Sequence, residues 1–185
     1  MAGETVEPTL LAEVSTLAHP PRVVAVYRRD DLPRGVRPVT LALWHVADPG
    51  NVGTLLRAAD AFGAGVALSA GCADPTGPKA LRAAMGAVWR VPVSSFDVPA
   101  GTRVALVPRG GTPLQELAVD GDVVLVLGAE REGLPREVLD RCAVQASIPQ
   151  PGAAESLNVA MAGAIALYEL SRKQKAGPGP GGARP

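Results

Sequence analysis

Short, almost wholly apolar runs alternate in this chain with segments of helical periodicity, and that alternation restricts the possible folds more than any other feature. The runs are Thr40–Val46, Gly65–Ser69, Val88–Val93, Arg103–Val107, Val123–Leu127 and Ala143–Ile148. The segments Val52–Phe62, Pro78–Met85, Pro135–Asp140 and Glu155–Ser171 read as helices. In the first of these, Val52, Leu55, Leu56, Ala59 and Phe62 share one face, with Thr54, Arg57 and Asp60 on the other side. A strand that is apolar at successive positions is buried on both faces, the condition of a parallel sheet covered by helices. The expected class is therefore α/β with a parallel sheet, and a ligand is expected at the carboxyl ends of the strands.

Composition narrows the options further. Of 185 residues, 47% are apolar but only 3% aromatic, so the core must be built from Ala, Val and Leu. Basic and acidic residues balance at 18 each, which argues against retention on nucleic acid by bulk charge and leaves room for a local patch. The candidates for that patch are Arg28, Arg29, Arg57, Lys79, Arg82, Arg109 and Arg131, against the alternative of scattered solvated side chains. The two cysteines, Cys72 and Cys142, and the histidines His19 and His45 lack metal-ligand spacing, so no metal site and no disulfide scaffold is expected. No run approaches the roughly 20 apolar residues of a membrane span, and the start lacks the form of a signal peptide. A soluble, cytoplasmic protein is expected.

The ends read differently from the middle. Residues 1–38 look like an extension, with a helix over Leu10–Leu17, a strand over Arg22–Tyr27 and a charged linker from Asp30 to Pro38. The main domain is expected over 39–172, followed by a disordered tail at 173–185. Gly177, Gly179 and Gly182 fit a dinucleotide-binding glycine pattern, but neither a strand nor a helix flanks them, so the match is chance.

Three segments carry chemistry. In His45–Arg57 a turn at Asp48-Pro49-Gly50 leads into a helix with Asn51 at the expected N-cap. The exposed amides of the helix start, together with Arg57, suit a phosphate, while the plain alternative is a capped helix with a solvated Arg. In Val123–Pro135 a buried strand ends at Gly128, where the missing side chain would let a ligand ring approach the backbone, and Glu130 follows in a polar loop. In Ala146–Glu169 a strand stops at Ile148-Pro149, and Ser156, Leu157 and Asn158 lie at the start of a small-residue helix. That helix can pack closely against the sheet or another chain. A serine-nucleophile reading fails, because no histidine is placed as a base.

Together these segments resemble the three motifs of the SpoU branch of the SPOUT methyltransferases. The matches are D-P-x-N-x-G-x-x-x-R at Asp48–Arg57, L-G-x-E-x-x-G-L at Leu127–Leu134, and I-P-x-x-G-x-x-x-S-L-N-V at Ile148–Val159, with a fainter one at Pro78–Ala87. The resemblance spans Leu41 to Leu170. It implies a Rossmann-like parallel sheet with a C-terminal deep trefoil knot, an active site at a homodimer interface through the knot region, and S-adenosylmethionine as cofactor. The implied activity is methyl transfer to a ribose 2'-hydroxyl of ribosomal or transfer RNA.

Carried across by motif, Leu106, Gly128, Ile148, Ser156 and Leu157 are expected at the cofactor. Asn51, Arg57, Glu130, Ser156 and Asn158 are expected as the catalytic set. Arg57's counterpart is held to activate the hydroxyl, an awkward role for a guanidinium with a pKa above about 12. Stabilising the oxyanion and gripping a phosphate are the alternative roles. Gln150 and Ala160 depart from the Met and Ser that the pattern leads one to expect, and the N-terminal portion is short beside the RNA-recognition domains of many members. An RNA-binding or cofactor-sensing module without turnover, and a Rossmann enzyme using another nucleotide, are the competing readings.

Overall fold

The protein is described by a computed structural model covering residues 5–15, 19, 22–129, 132–152 and 156–175. Its contacts divide the chain into two units, Met1–Asp31 and Leu32–Pro185. In the first, helix α1 (Pro8–Val14) starts with a proline in its first turn, where the missing N–H costs nothing, and one 3-10 turn covers Arg29–Asp31. The strand expected at Arg22–Tyr27 does not form. Residues 23–28 have no ladder partner, and Val23 and Val26 stand largely exposed. An apolar run becomes a strand only where an edge is available to pair with it. Part of the Leu10–Leu17 helix expectation, at residues 16–18, lies outside the described residues.

The second unit alternates strands and helices as the sequence predicts. Its elements in chain order are β1 (Val39–Leu43), α2 (Pro49–Ala61), β2 (Gly65–Leu68), α3 (Pro78–Ala84), β3 (Val93–Ser95), β4 (Thr102–Leu106), β5 (Thr112–Pro113), β6 (Val123–Leu127), α4 (Arg136–Leu139), β7 (Val144–Ser147) and α5 (Val159–Lys175). The strands form one seven-stranded sheet in the order β3-β2-β1-β6-β4-β7-β5, and every pairing is parallel. The late strand β6 is thus inserted between β1 and β4.

Both sheet faces are buried. Leu41, Leu43, Val66, Leu125 and Leu127 belong to the cluster built with Leu55 and Leu56 of α2 and Val159, Ala166 and Leu167 of α5. Their neighbours Ala42, Ala67, Val124 and Val126 point the other way, into a smaller cluster with Phe96 and Val138. Helices approach closely through glycine. A Cβ on Gly53 would overlap the Ala80 carbonyl oxygen and Ala83 Cβ, and one on Gly163 of α5 would overlap Leu55 Cδ2. The small-residue stripe of α5 therefore packs on this chain's own core.

Several boundaries differ from expectation for local reasons. Strand β3 starts at Val93 rather than Val88, because Met85 and Gly86 both adopt left-handed conformations that end α3. They turn Ala87–Trp89 into a 3-10 helix. The edge strand β5 is only two residues long, too short to show any periodicity. Helix α5 begins at Val159, not Glu155; Glu155 itself lies outside the described residues. The supposed linker before β1 is anchored instead: the Val93 N–H donates to the Pro33 carbonyl at 3.1 Å, and the Arg37 guanidinium donates to the Gly63 and Arg90 carbonyls.

Candidate active site

Parallel register brings three strand ends level. Ala105 lies opposite Val126, and Leu106 opposite Ala146, so the residues leaving β4, β6 and β7 emerge side by side. A cavity of about 560 Å³ opens there. Leu106, Val107 and Pro108 line it from β4, Leu127, Gly128 and Ala129 from β6, and Ile148 and Gln150 from β7. Leu134 and Leu139 close one side, and Ser156, Leu157, Val159 and Ala162 of the α5 approach close another. The volume lies within the range of small-molecule sites, and the position is where an open α/β sheet holds its ligand. The structure thus gathers Leu106, Gly128, Ile148, Ser156 and Leu157 around one cavity.

Gly128 has a different physical reason from the one its sequence context suggests. A Cβ there would overlap the Gly133 backbone and crowd the Leu134 nitrogen, so the missing side chain is filled by the chain's own returning loop. Gly133, at φ +65°, makes that return, and its N–H donates to the Ala129 carbonyl at 2.9 Å. Glycine here closes the loop that forms a cavity wall.

The start of α2 is also arranged otherwise than expected. Asp48, not Asn51, is the N-cap: its Oδ1 accepts from the Asn51 N–H at 2.9 Å and its Oδ2 accepts from Lys79 Nζ at 2.7 Å. The Lys79 hydrogen bond first, then the Asn51 N–H, hold the Asp48 carboxyl below its ordinary pKa. The anion favoured at this helix start is therefore the chain's own carboxylate, and the phosphate reading of these amides does not hold.

Relieved of capping, the Asn51 side chain meets the third motif. Asn158 Nδ2 donates to Asn51 Oδ1 at 3.1 Å. Asn158 Oδ1 meanwhile accepts from the Ala160 and Met161 N–H groups at 2.9 and 3.2 Å, capping α5. The cap settles which way the amide faces, because only its oxygen can accept from the helix. Ser156, two residues earlier, is exposed at the cavity. Arg57 stands exposed on α2, and among the described residues it has no hydrogen-bond or ion-pair partner. Glu130 and Arg131 lie outside the described residues.

Sequence reasoning passed over an aromatic stack at the end of β1. Trp44 and His45 lie parallel at 4.7 Å, and Phe96 meets Trp44 edge-on at 5.1 Å. His45 takes φ +53°, uncommon without glycine, and its N–H donates to Ser69 Oγ at 3.0 Å. Among the described residues no group of three His, Cys, Asp or Glu is placed to hold a metal, and no helix is long and apolar enough to cross a membrane.

Comparison with known proteins places this arrangement among relatives. Residues 38–168 match the SpoU rRNA Methylase family. A tRNA/rRNA methyltransferase of Synechocystis sp., itself uncharacterized, is 36% identical over 93% of this chain and 68% of its own length. The 23S rRNA (guanosine(2553)-2'-O)-methyltransferase RlmP of Bacillus subtilis is 37% identical over 68% of this chain and 54% of its own. The crystal structure of an AdoMet-bound rRNA methyltransferase from Sinorhizobium meliloti superposes with a TM-score of 0.69 at 35% identity, covering 78% of this chain and 59% of that one. The chain thus spans about half to two thirds of the length of these three relatives.

Proposed function

This chain belongs to the SpoU rRNA methylase family, and from that premise we propose that it transfers a methyl group from S-adenosylmethionine to a ribose 2'-hydroxyl of ribosomal or transfer RNA in the cytoplasm. The observation that carries the reading is the convergence of the first and third motifs. Asn51 and Asn158, 107 residues apart, are hydrogen-bonded beside a cavity whose wall includes Ser156 and Leu157.

The cavity suits the cofactor on its own terms. Its lining is mixed, with more apolar than polar surface: Leu106, Leu127, Leu134, Leu139 and Ile148 stand beside backbone groups, Glu132 and Ser156. Leu106, Gly128, Ile148, Ser156 and Leu157 would hold it. When bound, S-adenosylmethionine supplies a methyl group on a sulfonium that is already a good leaving group. The protein's own task is alignment of the ribose oxygen and stabilisation of charge. Asn158, fixed by its capping role, orients Asn51, and Ser156 offers a hydroxyl at the cavity. Among the described residues Arg57 has no hydrogen-bond or ion-pair partner. Its guanidinium grips the substrate phosphate and stabilises the developing oxyanion. Glu130 joins this set by motif.

We further propose the C-terminal trefoil knot of the SPOUT fold, supported by the insertion of β6 between β1 and β4. A homodimer through this region is supported by an unpartnered apolar stripe on α5, formed by Met161, Ile165 and Tyr168. Phe62 extends it, with its ring edge-on to Tyr168 at 6.4 Å. The reading is tested by mapping 2'-O-methyl positions in ribosomal and transfer RNA with and without the protein, alongside Arg57→Ala. New positions that depend on Arg57 are expected; cofactor binding without methylation of either RNA would favour the non-catalytic module.

A further inference from the structure

Arg57 and Arg82 differ from the other basic side chains of the second unit. Lys79, Arg90, Arg136, Arg141 and Arg172 each pair with a carboxylate, and the remaining described arginine and lysine side chains there engage other groups of the chain. Arg57 and Arg82 are exposed and meet no partner among the described residues. Nor is their charge offset on their own helices. Asp48 and Asp60, the acidic residues of α2 and its cap, are taken by Lys79 and Arg90, and α3 has no acidic residue. In a chain with 18 basic and 18 acidic residues, this leaves a local excess of positive charge.

The two arginines share one surface. Arg57 lies two residues from buried Leu55 and from buried Ala59, and Arg82 two residues from buried Ala80 and from buried Ala84. That spacing turns each away from the core, to the outer side of its helix. The helices touch where a Cβ on Gly53 would overlap the Ala80 carbonyl oxygen and Ala83 Cβ. Arg57 is one turn beyond Gly53, and Arg82 immediately precedes Ala83. Their backbones are therefore separated by roughly one helix spacing, about 8–10 Å, and one turn, about 5.4 Å.

We propose that Arg82 binds a backbone phosphate of the RNA beside the one held by Arg57, and so positions the strand without taking part in methyl transfer. This rests on the reading of Arg57 as a phosphate-gripping residue of an RNA methyltransferase. A guanidinium matches a phosphate through two parallel hydrogen bonds. A single small anion would need both arginines to converge on one point, whereas outward side chains on adjoining helices suit successive charges along a strand. Helix α3 contributes no residue to the cavity wall, so Arg82 acts on affinity for RNA and not on the reacting atoms.

The test is the salt dependence of RNA binding by wild type, Arg82→Ala, Arg82→Lys and Arg136→Ala, with total ribosomal RNA and total transfer RNA as probes. Arg136 serves as the control because it is exposed but pairs with Asp140 on its own helix. Arg82→Ala is expected to bind the preferred RNA roughly threefold to tenfold more weakly at about 100 mM salt. Its slope of log affinity against log salt is expected to be shallower by about 0.7–0.9, the value of one phosphate contact. Arg82→Lys keeps the charge and most of the slope, and Arg136→Ala matches wild type. Methylation of the same RNA with labelled S-adenosylmethionine is expected to show a raised KM and an unchanged kcat in Arg82→Ala. Thermal unfolding establishes that each variant is folded, with Arg82→Gln replacing Arg82→Ala should the latter not fold. Wild-type affinity and slope in Arg82→Ala, an equal loss in Arg136→Ala, or a fall in kcat at unchanged KM would each overturn the role of Arg82 and leave the methyltransferase reading standing. Failure of wild type to bind either RNA overturns both.

Discussion

Asn158 holds two helices at once: its Oδ1 caps α5 through the Ala160 and Met161 N–H groups while its Nδ2 reaches Asn51 Oδ1 on α2. The two functions separate by substitution. Asn158→Asp keeps the capping oxygen and loses the donor, so its melting temperature is expected to stay close to wild type while methyl transfer falls at least tenfold. Asn158→Ala loses both and is expected to be destabilised by about 1 kcal/mol as well. Calorimetric unfolding beside single-turnover methylation reads both effects. Full activity in Asn158→Asp would show that the Asn158 donor is not required, since the Asn51 amide can turn its own Nδ2 toward a carboxylate.

Arg57 carries the opposite signature. It is exposed and has no hydrogen-bond or ion-pair partner among the described residues, so Arg57→Ala is expected to leave stability within about 0.5 kcal/mol of wild type. Loss of a charge directed at the transition state costs on the order of 100-fold in rate. Arg57→Lys is expected to recover only part of this, because an ammonium cannot reproduce a planar two-point contact. Comparing kcat with KM for RNA in the two variants distinguishes the roles: if Arg57 only grips phosphate, its loss raises KM and leaves kcat unchanged.

The close approach of α2 to α3 depends on Gly53. An added methyl would overlap the Ala80 carbonyl, which cannot move without displacing its helix, so Gly53→Ala is expected to destabilise by about 1–3 kcal/mol. Gly163→Ala overlaps only the flexible ends of Leu55 and Leu127 and is expected to cost less. Chemical denaturation of the two variants gives the ranking. A reversed order would mean that α2 and α3 separate more readily than their packing implies.

Much of this architecture was legible because burial on both sheet faces writes itself directly into composition. Val123–Leu127, apolar at every position, is read from sequence with its exact bounds. The failures share a cause, which is that the deciding interaction lies outside the segment. Arg22–Tyr27 has strand-forming residues, but a strand also needs a ladder partner from elsewhere in the chain, and residues 23–28 make none. Val88 is apolar because it packs into the core from a 3-10 turn imposed by left-handed Met85 and Gly86. Asn51 looks like a cap until Asp48, three residues earlier, is found to fill that role. Gly128 looks like room for a ligand, yet the space is taken by Gly133. The members of the candidate site are identifiable by motif, but the Asn51–Asn158 bond depends on tertiary placement that no local pattern records.

Asp48 gives the start of α2 a pH dependence. Lys79 foremost, with the Asn51 N–H, depresses its folded-state pKa below the ordinary 3.8. A depressed carboxylate contributes stability that is fully present above the unfolded value and is lost as pH falls through the folded one. The contribution is therefore complete at neutral pH and disappears below the carboxylate range. Both partners are substantially exposed, so the effect is small and screened by salt. Lys79→Met is expected to melt slightly below wild type at pH 7 in low salt, with the gap closing in 1 M salt and again near pH 2. A gap that persists at pH 2 would assign the loss to the packing of the Lys79 stem over Gly50 rather than to its charge.

The apolar stripe on α5 supplies the last test, since it decides whether a neighbouring chain covers this helix. Met161, Ile165 and Tyr168 are 56%, 39% and 54% exposed, although they lie on the same helix as the buried Val159, Gly163 and Leu167. Helical spacing puts the three on one side, away from the core, where a monomer would place charge. Ile165→Glu puts a carboxylate at the centre of that stripe without touching the buried face. It is expected to leave the fold intact and to convert a dimer to a monomer in light scattering. If the active site is completed across that interface, methylation falls with dimer content and recovers as protein concentration rises. A wild-type protein that is monomeric at all concentrations would remove the interface, and with it any need for a second chain at the Asn51–Asn158 site.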